Sequence, residues 1–250
     1  MQITHATAST PGRINEDYVC SGADWAVILD GATAPAGVDS GCSHNVVWLV
    51  RQLAAAITSR LVLADSASLA DILAAAIKDT ASAHADGCDL ANPDSPSSTV
   101  SILRIRGNEL DYLTLGDSPI VLRHRDETFT PIADDRTSHL PGGRPYSIEL
   151  VRAHRNKAGG FWVASTKPDA AYQAITGSAP LARISEAGMF TDGLTRLVDW
   201  YGYTWPVLFS SLRSEGPASL IRLVRAAERE QPPLHAKKHD DATAVYVRNR

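Results

Sequence analysis

Short apolar runs bounded by turn residues, and longer stretches with helical spacing, mark out the elements of this chain. Trp25–Leu29 (WAVIL) is a continuous apolar run ending in Asp30-Gly31. It predicts a buried strand followed by a tight turn. From about Gly41 to Ala64, Val46, Val47, Val50, Leu53, Ala54, Ile57 and Leu61 recur at helical spacing. Leu69, Ile72, Leu73, Ala76 and Ile77 share one face of a second helix, about Leu69–Ala85, with Asp65 or Ser66 placed to cap it. Ala91–Ser98 reads as loop.

Three strands follow closely: Thr99–Arg106, Glu109–Leu115 and Pro119–Arg125, separated by Gly107-Asn108 and Gly116-Asp117-Ser118. The pattern predicts an antiparallel meander. Asp134–Gly160 carries six Pro and Gly residues beside Arg144, Arg152, His154, Arg155 and Lys157 and reads as a long irregular insertion. Glu186–Phe190 is a strand running into Thr191-Asp192-Gly193. Trp205–Leu212 and Pro217–Glu230 are helical, and Ala242–Val247 closes the chain as a strand. Helices and strands segregate instead of alternating, which predicts an α+β fold with antiparallel sheets in one domain, residues 1–250.

Composition changes little. With 250 residues, 44% hydrophobic and 21% charged, the chain is an ordinary globular one. A net charge of −4 supplies no global field for nucleic acid or anionic lipid. Cys20, Cys42 and Cys88 are too few for a disulfide framework and show no C-x-x-C spacing, so free thiols in a reducing compartment are expected. The first residues lack a secretory pattern, and the apolar stretch Val46–Ala64 is interrupted by Arg51, Gln52, Ser59 and Arg60. A soluble, cytoplasmic monomer with no membrane contact is the expectation.

Acidic patches carry the chemistry: Asn15-Glu16-Asp17, Asp30-Gly31, Thr191-Asp192-Gly193 and Asp240-Asp241-Ala242-Thr243. Each sits at or beside a strand end. Singly they are weak signals, since Asp-Gly is a common turn and Asn-Glu-Asp a common cap. Together they predict one carboxylate cluster without neutralising Lys or Arg, which repels itself unless it holds cations, and oxygen ligands favour Mg²⁺ or Mn²⁺. Two divalent ions about 3.5–4 Å apart can lower the pKa of a water between them for in-line attack on phosphorus. Asp30 suits the bridging position, and Gly31 lets a carbonyl turn to a metal without a Cβ clash.

In their order, these motifs resemble the metal-dependent protein phosphatase family, type 2C. Asn15-Glu16-Asp17, Asp30-Gly31, Gly116-Asp117-Ser118, Thr191-Asp192-Gly193-Leu194 and Asp240-Asp241-Ala242-Thr243 cover nearly the whole chain. The resemblance implies a four-layer αββα sandwich, two antiparallel sheets flanked by helix pairs. It implies that Asp30 bridges two metals, that Asp192 and Asp240 complete one of them, and that the Gly31 carbonyl meets the other. Glu16 and Asp17 would hold metal-associated waters, and Asp117 with Asp192 a weaker third site. Asp134–Gly177 would be the flap beside the active site.

The chain departs from the family pattern in several places. Ala32 stands where many members carry a histidine proposed as general acid, with Thr33 as the nearby hydroxyl and a candidate substrate contact. Arg13, the candidate phosphate ligand, stands three residues before Glu16 instead of four, a shift that changes faces on a strand. Arg144, Arg152, Arg155 and Lys157 of the flap are alternative cations. Phe161 and Trp162 read as core of a short strand or as a stacking surface, and His239, next to Asp240, as a surface or supporting residue. The expected function is Mg²⁺- or Mn²⁺-dependent phosphomonoester hydrolysis on a phosphorylated serine or threonine of a protein. A small phosphate ester substrate and a non-catalytic regulatory module stand as alternatives.

Overall fold

The computed structural model describes residues 1–34, 37–63, 66–84, 87–142, 145–233 and 237–249. Among these residues, ten strands form two antiparallel five-stranded sheets. The first sheet contains β1 (Gln2–Ala8), β6 (Ile120–His124), β7 (Phe129–Ile132), β9 (Ile184–Phe190) and β10 (Ala242–Arg248), in the order β1-β10-β9-β6-β7. The second is β2 (Asp17–Ser21), β3 (Trp25–Ala32), β4 (Ser97–Arg106), β5 (Glu109–Leu115) and β8 (Ile175–Pro180), in sequence order.

Three apolar layers follow from the strand alternation. Ile28, Leu103, Ile120, Met189 and Val245 fill the space between the sheets. On the outer face of the second sheet, Val27, Leu29 and Ile102 pack against α1 (Val46–Leu63) and α2 (Leu69–Ala83). On the outer face of the first, Val121, Phe190 and Ala244 pack against α4 (Asp192–Asp199), α5 (Trp205–Glu215) and α6 (Ala218–Glu230). The expected αββα sandwich is therefore present, with short α4 added to one helix layer. By length and mean hydropathy (1.5), α1 could cross a bilayer, so the polar interruptions do not exclude a span. Here its Val46, Leu49, Val50, Leu53 and Ile57 face is core.

Several expected boundaries move. Ser68 caps α2, its hydroxyl accepting from the Asp71 N–H; Asp65 lies outside the described residues. The expected turn at Asp30-Gly31 is strand, because β3 continues to Ala32 and pairs with β4 throughout. The meander splits: β4 and β5 form a hairpin, but β6 crosses to the other sheet. Gly116 turns the chain at φ +85°, and the buried Ser118 carbonyl accepts from Ser101 (2.5 Å) and Thr114 (2.9 Å), fixing the crossing.

The insertion is shorter than expected. Its end is body: Ala170 and Ala171, in a 3₁₀ turn over Pro168–Gln173, are buried in the α1–α2 core, and β8 pairs with β5. The flap proper contains a 3₁₀ turn over Arg136–His139 and α3 (Ile148–His154), capped by the Ser147 hydroxyl. Phe161 and Ala164 make isolated bridges with Arg155 and Ser98, so no separate strand forms there.

Candidate active site

Register places the first two carboxylates face to face: Asp17 on β2 is the cross-strand partner of Asp30 on β3. Asp17 is buried. Its Oδ2 accepts from the hydroxyls of Thr191 (2.9 Å) and Thr243 (2.6 Å), while its buried Oδ1 has no partner among the described residues. Burial, together with the negative Asp241 and Asp192, pushes its carboxyl up to about 7 despite those two hydroxyls. Thr191 and Thr243 also join the sheet ends, since the Thr243 N–H donates to the Thr191 hydroxyl and the Thr191 N–H to the Thr243 carbonyl.

Asp30 keeps partial access to the cleft while protein surrounds it on the other sides. Burial, then Asp17, Asp192, Asp117 and Asp240 in that order, push its carboxyl well above the usual range. Residues from five segments thus share one electrostatic neighbourhood. The donor set is all oxygen, anionic and self-repelling, and one buried carboxylate oxygen is unpaired. Such a set fits hard divalent cations, and Asp17, Asp30, Asp117, Asp192 and Asp240 are the side chains that could hold or neighbour them.

The C-terminal loop is fastened from both sides. Asp241 accepts the backbone N–H groups of Thr10 (2.6 Å) and Glu16 (2.5 Å), so it carries the Asn15-Glu16-Asp17 segment. Asp240 pairs with Arg196 (2.8 Å) and Lys237 (3.2 Å). The premise of a cluster without neighbouring cations is therefore corrected. Arg196 is itself held by fully buried Glu228 (2.8 Å), which also takes Arg225 (3.0 Å) and His239 Nδ1 (2.7 Å). Arg225 reaches the Asp240 carbonyl at 2.5 Å. His239 is thus a supporting residue. Sequence reading missed Arg196, Arg225 and Glu228. For Arg196 a signal existed: it stands one helical turn after Asp192 on α4.

Two glycines serve close approach. A Cβ on Gly193 would overlap the Asp241 carbonyl oxygen, and one on Gly31 would come within 2.7 Å of the Glu16 carbonyl oxygen and 2.8 Å of Val46. The Gly31 N–H donates to that same Glu16 carbonyl at 3.2 Å. Thr33 donates its hydroxyl to Glu16 Oε1 (2.7 Å) and lines the cleft. Arg13 lies in the β1–β2 loop and not on a strand, so the argument from strand parity does not apply to it. It is exposed and lines a groove of about 450 Å³ with Glu16, Lys237, Asp240 and Asp241.

A cleft of about 440 Å³ is lined both by Asp30, Asp117, Asp192 and Asp240 and by Tyr146, Arg155 and Phe161 of the flap. Burial brings the Arg155 guanidinium down to about 10, with Asp94 opposing. It donates to the carbonyls of Pro93 (3.1 Å) and Ser95 (2.7 Å) and to the Ser165 hydroxyl (2.9 Å). Arg152 is committed to Asp94 (2.6 Å), Lys157 donates to the Arg152 carbonyl, and Arg144 lies outside the described residues. Trp162 packs partly against the α1–α2 core.

The sequence matches the family model described as Protein phosphatase 2C over residues 6–225. The chain belongs to this family. The protein phosphatase 2C fold also recurs in solved structures. The catalytic domain of the serine/threonine protein phosphatase PstP, crystallised with two manganese ions, matches at TM-score 0.62 and 20% identity, over 99% of this chain and 97% of that one. PstP/Ppp of Mycobacterium tuberculosis matches at 0.64 and 19%, over 99% and 97%. Stp1 of Staphylococcus aureus matches at 0.64 and 14%, over 100% and 95%. No curated protein matches the sequence significantly. Membership in the protein phosphatase 2C family makes the chain a metal-dependent phosphatase, a phosphoric monoester hydrolase.

Proposed function

We propose that this chain hydrolyses phosphoserine or phosphothreonine in proteins, using two Mg²⁺ or Mn²⁺ ions held by Asp30, Asp192, Asp240 and the Gly31 carbonyl. The observation that supports it is the convergence of Asp30, Asp117, Asp192 and Asp240 on one cleft, with Asp30 destabilised by the other three and by buried Asp17. PstP, of the same fold, was crystallised with two manganese ions. Asp117 with Asp192 provides a third, weaker position.

When bound, the ions supply charge neutralisation and an acidified water as nucleophile toward phosphorus. The chain's own residues set the geometry. Asp17 and Glu16, positioned through Asp241, hold water around the site and accept its protons. Arg196 and Lys237 orient Asp240 and keep its oxygens spaced. Arg13 at the rim meets the phosphoryl oxygens, and Arg155 with Phe161 and Tyr146 shapes the wall that faces the substrate's leaving side. Ala32 cannot donate a proton, so the leaving oxygen takes it from solvent within the cleft. The protein works as a monomer in the cytoplasm.

Asp192→Ala tests the assignment. It is expected to abolish turnover while circular dichroism and melting remain native, because one repelling carboxylate is removed. A kcat like that of the wild type would overturn it.

A further inference from the structure

Away from the carboxylate cluster, four soft ligands meet. Cys42 and His44 precede α1, His84 ends α2, and Cys88 follows it. Their ligand atoms all lie within 4.8 Å of one another. Cys42 Sγ is 3.3 Å from His84 Nδ1 and 3.8 Å from His44 Nδ1, and Cys88 Sγ is 3.5 Å from His44 Nδ1. With zinc–sulfur bonds near 2.3 Å and zinc–nitrogen bonds near 2.0–2.1 Å, a tetrahedron has edges of roughly 3.3–3.8 Å. The three sulfur–nitrogen distances fall in that range.

The two sulfurs stand 2.9 Å apart. That is short of the roughly 3.8 Å edge zinc requires and longer than the ~2.05 Å of a disulfide. The histidines decide between them, since a disulfide has no use for two imidazole nitrogens aimed at its sulfurs. Both rings are also oriented by a common neighbour. Trp48 stacks on His44 at 4.0 Å and meets His84 edge-on at 4.4 Å. Such packing restrains the plane of each ring.

We propose that Cys42, His44, His84 and Cys88 form a structural zinc site, closed by four protein ligands and distinct from the catalytic ions. Tetrahedral sulfur–nitrogen sets select zinc over the hard cations of the cleft. Binding forms two Zn–S and two Zn–N bonds and releases the two thiol protons to solvent. The sequence holds the pattern as Cys42-x-His44 and His84-x₃-Cys88, which a search for paired cysteines alone passes over.

The site's position gives it a purpose. The segment before α1 and the one after Cys88 already touch, the Asp89 N–H donating to the Gly41 carbonyl (2.7 Å) and Asn92 to the Asp39 carbonyl (3.3 Å). The second segment continues to Asp94 and Ser95, which hold the flap arginines Arg152 and Arg155. Zinc would pin the anchor of the flap to the start of α1 and the end of α2.

The test measures metal content per chain after dialysis into zinc-free buffer containing Mg²⁺. Wild type and Asp30→Ala should each retain one zinc, and a Cys42→Ser/Cys88→Ser variant none. Zinc lost in Asp30→Ala but kept in the double variant would place it in the carboxylate cluster and overturn the proposal. Should the double variant not fold, wild type decides alone. Thiol titration should find Cys42 and Cys88 unreactive until a chelator frees both together with one zinc, and Co²⁺ in place of zinc should give thiolate-to-cobalt charge-transfer absorption. Thiols reactive from the outset without zinc, or a mass deficit of two hydrogens marking a Cys42–Cys88 disulfide, would overturn it. None of these readouts depends on phosphatase activity.

Discussion

Asp17 and Asp30 face one another across the β2–β3 pair, two carboxylates that antiparallel register brings together. Without cations this pairing is costly, and the cost depends on pH. The Asp17 carboxyl titrates near 7 in the folded protein against 3.8 as its ordinary value. Below about pH 4 both states carry the proton. Between 4 and 7 the unfolded chain gives it up while the fold retains it, so metal-free stability falls as pH rises. The loss is complete above about 7 and is of the order of a few kcal/mol. Thermal melting in chelator should therefore drop from pH 5 to 8, and Mn²⁺ should flatten the profile. Asp17→Asn should flatten it without metal. A profile in chelator that rises over this range would contradict the assignment of Asp17.

Glu228 has no exposure and three partners, the guanidinium groups of Arg196 and Arg225 and the His239 ring. Removing one member of a buried pair strands the rest, at about 3–5 kcal/mol. Glu228→Gln should lower the melting temperature and, by loosening Arg196 and the Asp240 carbonyl's hold on Arg225, weaken Mn²⁺ binding measured by calorimetry. Loss of stability with unchanged Mn²⁺ affinity would mean that Asp240 is positioned without this network.

The α+β class and the acidic patches were legible in the sequence because each rests on local pattern, whereas the two-sheet sandwich was implied only by the resemblance that the ordered motifs carry. WAVIL announces β3, and the helical spacing of Val46 to Leu61 announces α1. What escaped depends on distant partners. The short link Gly116-Asp117-Ser118 looks like a hairpin turn, and only Ser101 and Thr114 reaching the Ser118 carbonyl reveal a crossing between sheets. Asp30-Gly31 looks like a turn, yet Gly31 is there so that Glu16 and Val46 can approach an uninterrupted strand. Pro168–Gln173 looked like flap until Ala170 and Ala171 found the α1–α2 core. Arg196 and Glu228 are 32 residues apart, and nothing local pairs them.

Gly193 holds the start of α4 against the C-terminal loop with no room for a side chain. Gly193→Ala should cost about 1–3 kcal/mol, as overpacking does. It should also reduce turnover, because the displaced partner is the Asp241 backbone next to Asp240. Wild-type stability together with wild-type kcat would show that the contact relaxes freely.

Arg13 and Arg155 should separate by kinetics. Arg13 is exposed and makes no ion pair among the described residues, so Arg13→Ala should leave stability unchanged. It should raise KM roughly tenfold or more with little change in kcat, as loss of a charge-assisted hydrogen bond does. Arg155→Ala should lower stability as well, because the flap loses its bonds to Pro93, Ser95 and Ser165. An unchanged KM in Arg13→Ala would move the phosphate contact to another cation.

The most direct measurement is hydrolysis of p-nitrophenyl phosphate by the purified protein with Mn²⁺, with Mg²⁺ and with EDTA, beside the Asp30→Ala variant. Turnover with metal, its loss in EDTA and its loss in Asp30→Ala are the predicted results. Turnover that persists in EDTA or in Asp30→Ala, or no turnover of this ester or of a phosphothreonine peptide with Mn²⁺ bound, would contradict a metal-dependent phosphatase centred on Asp30.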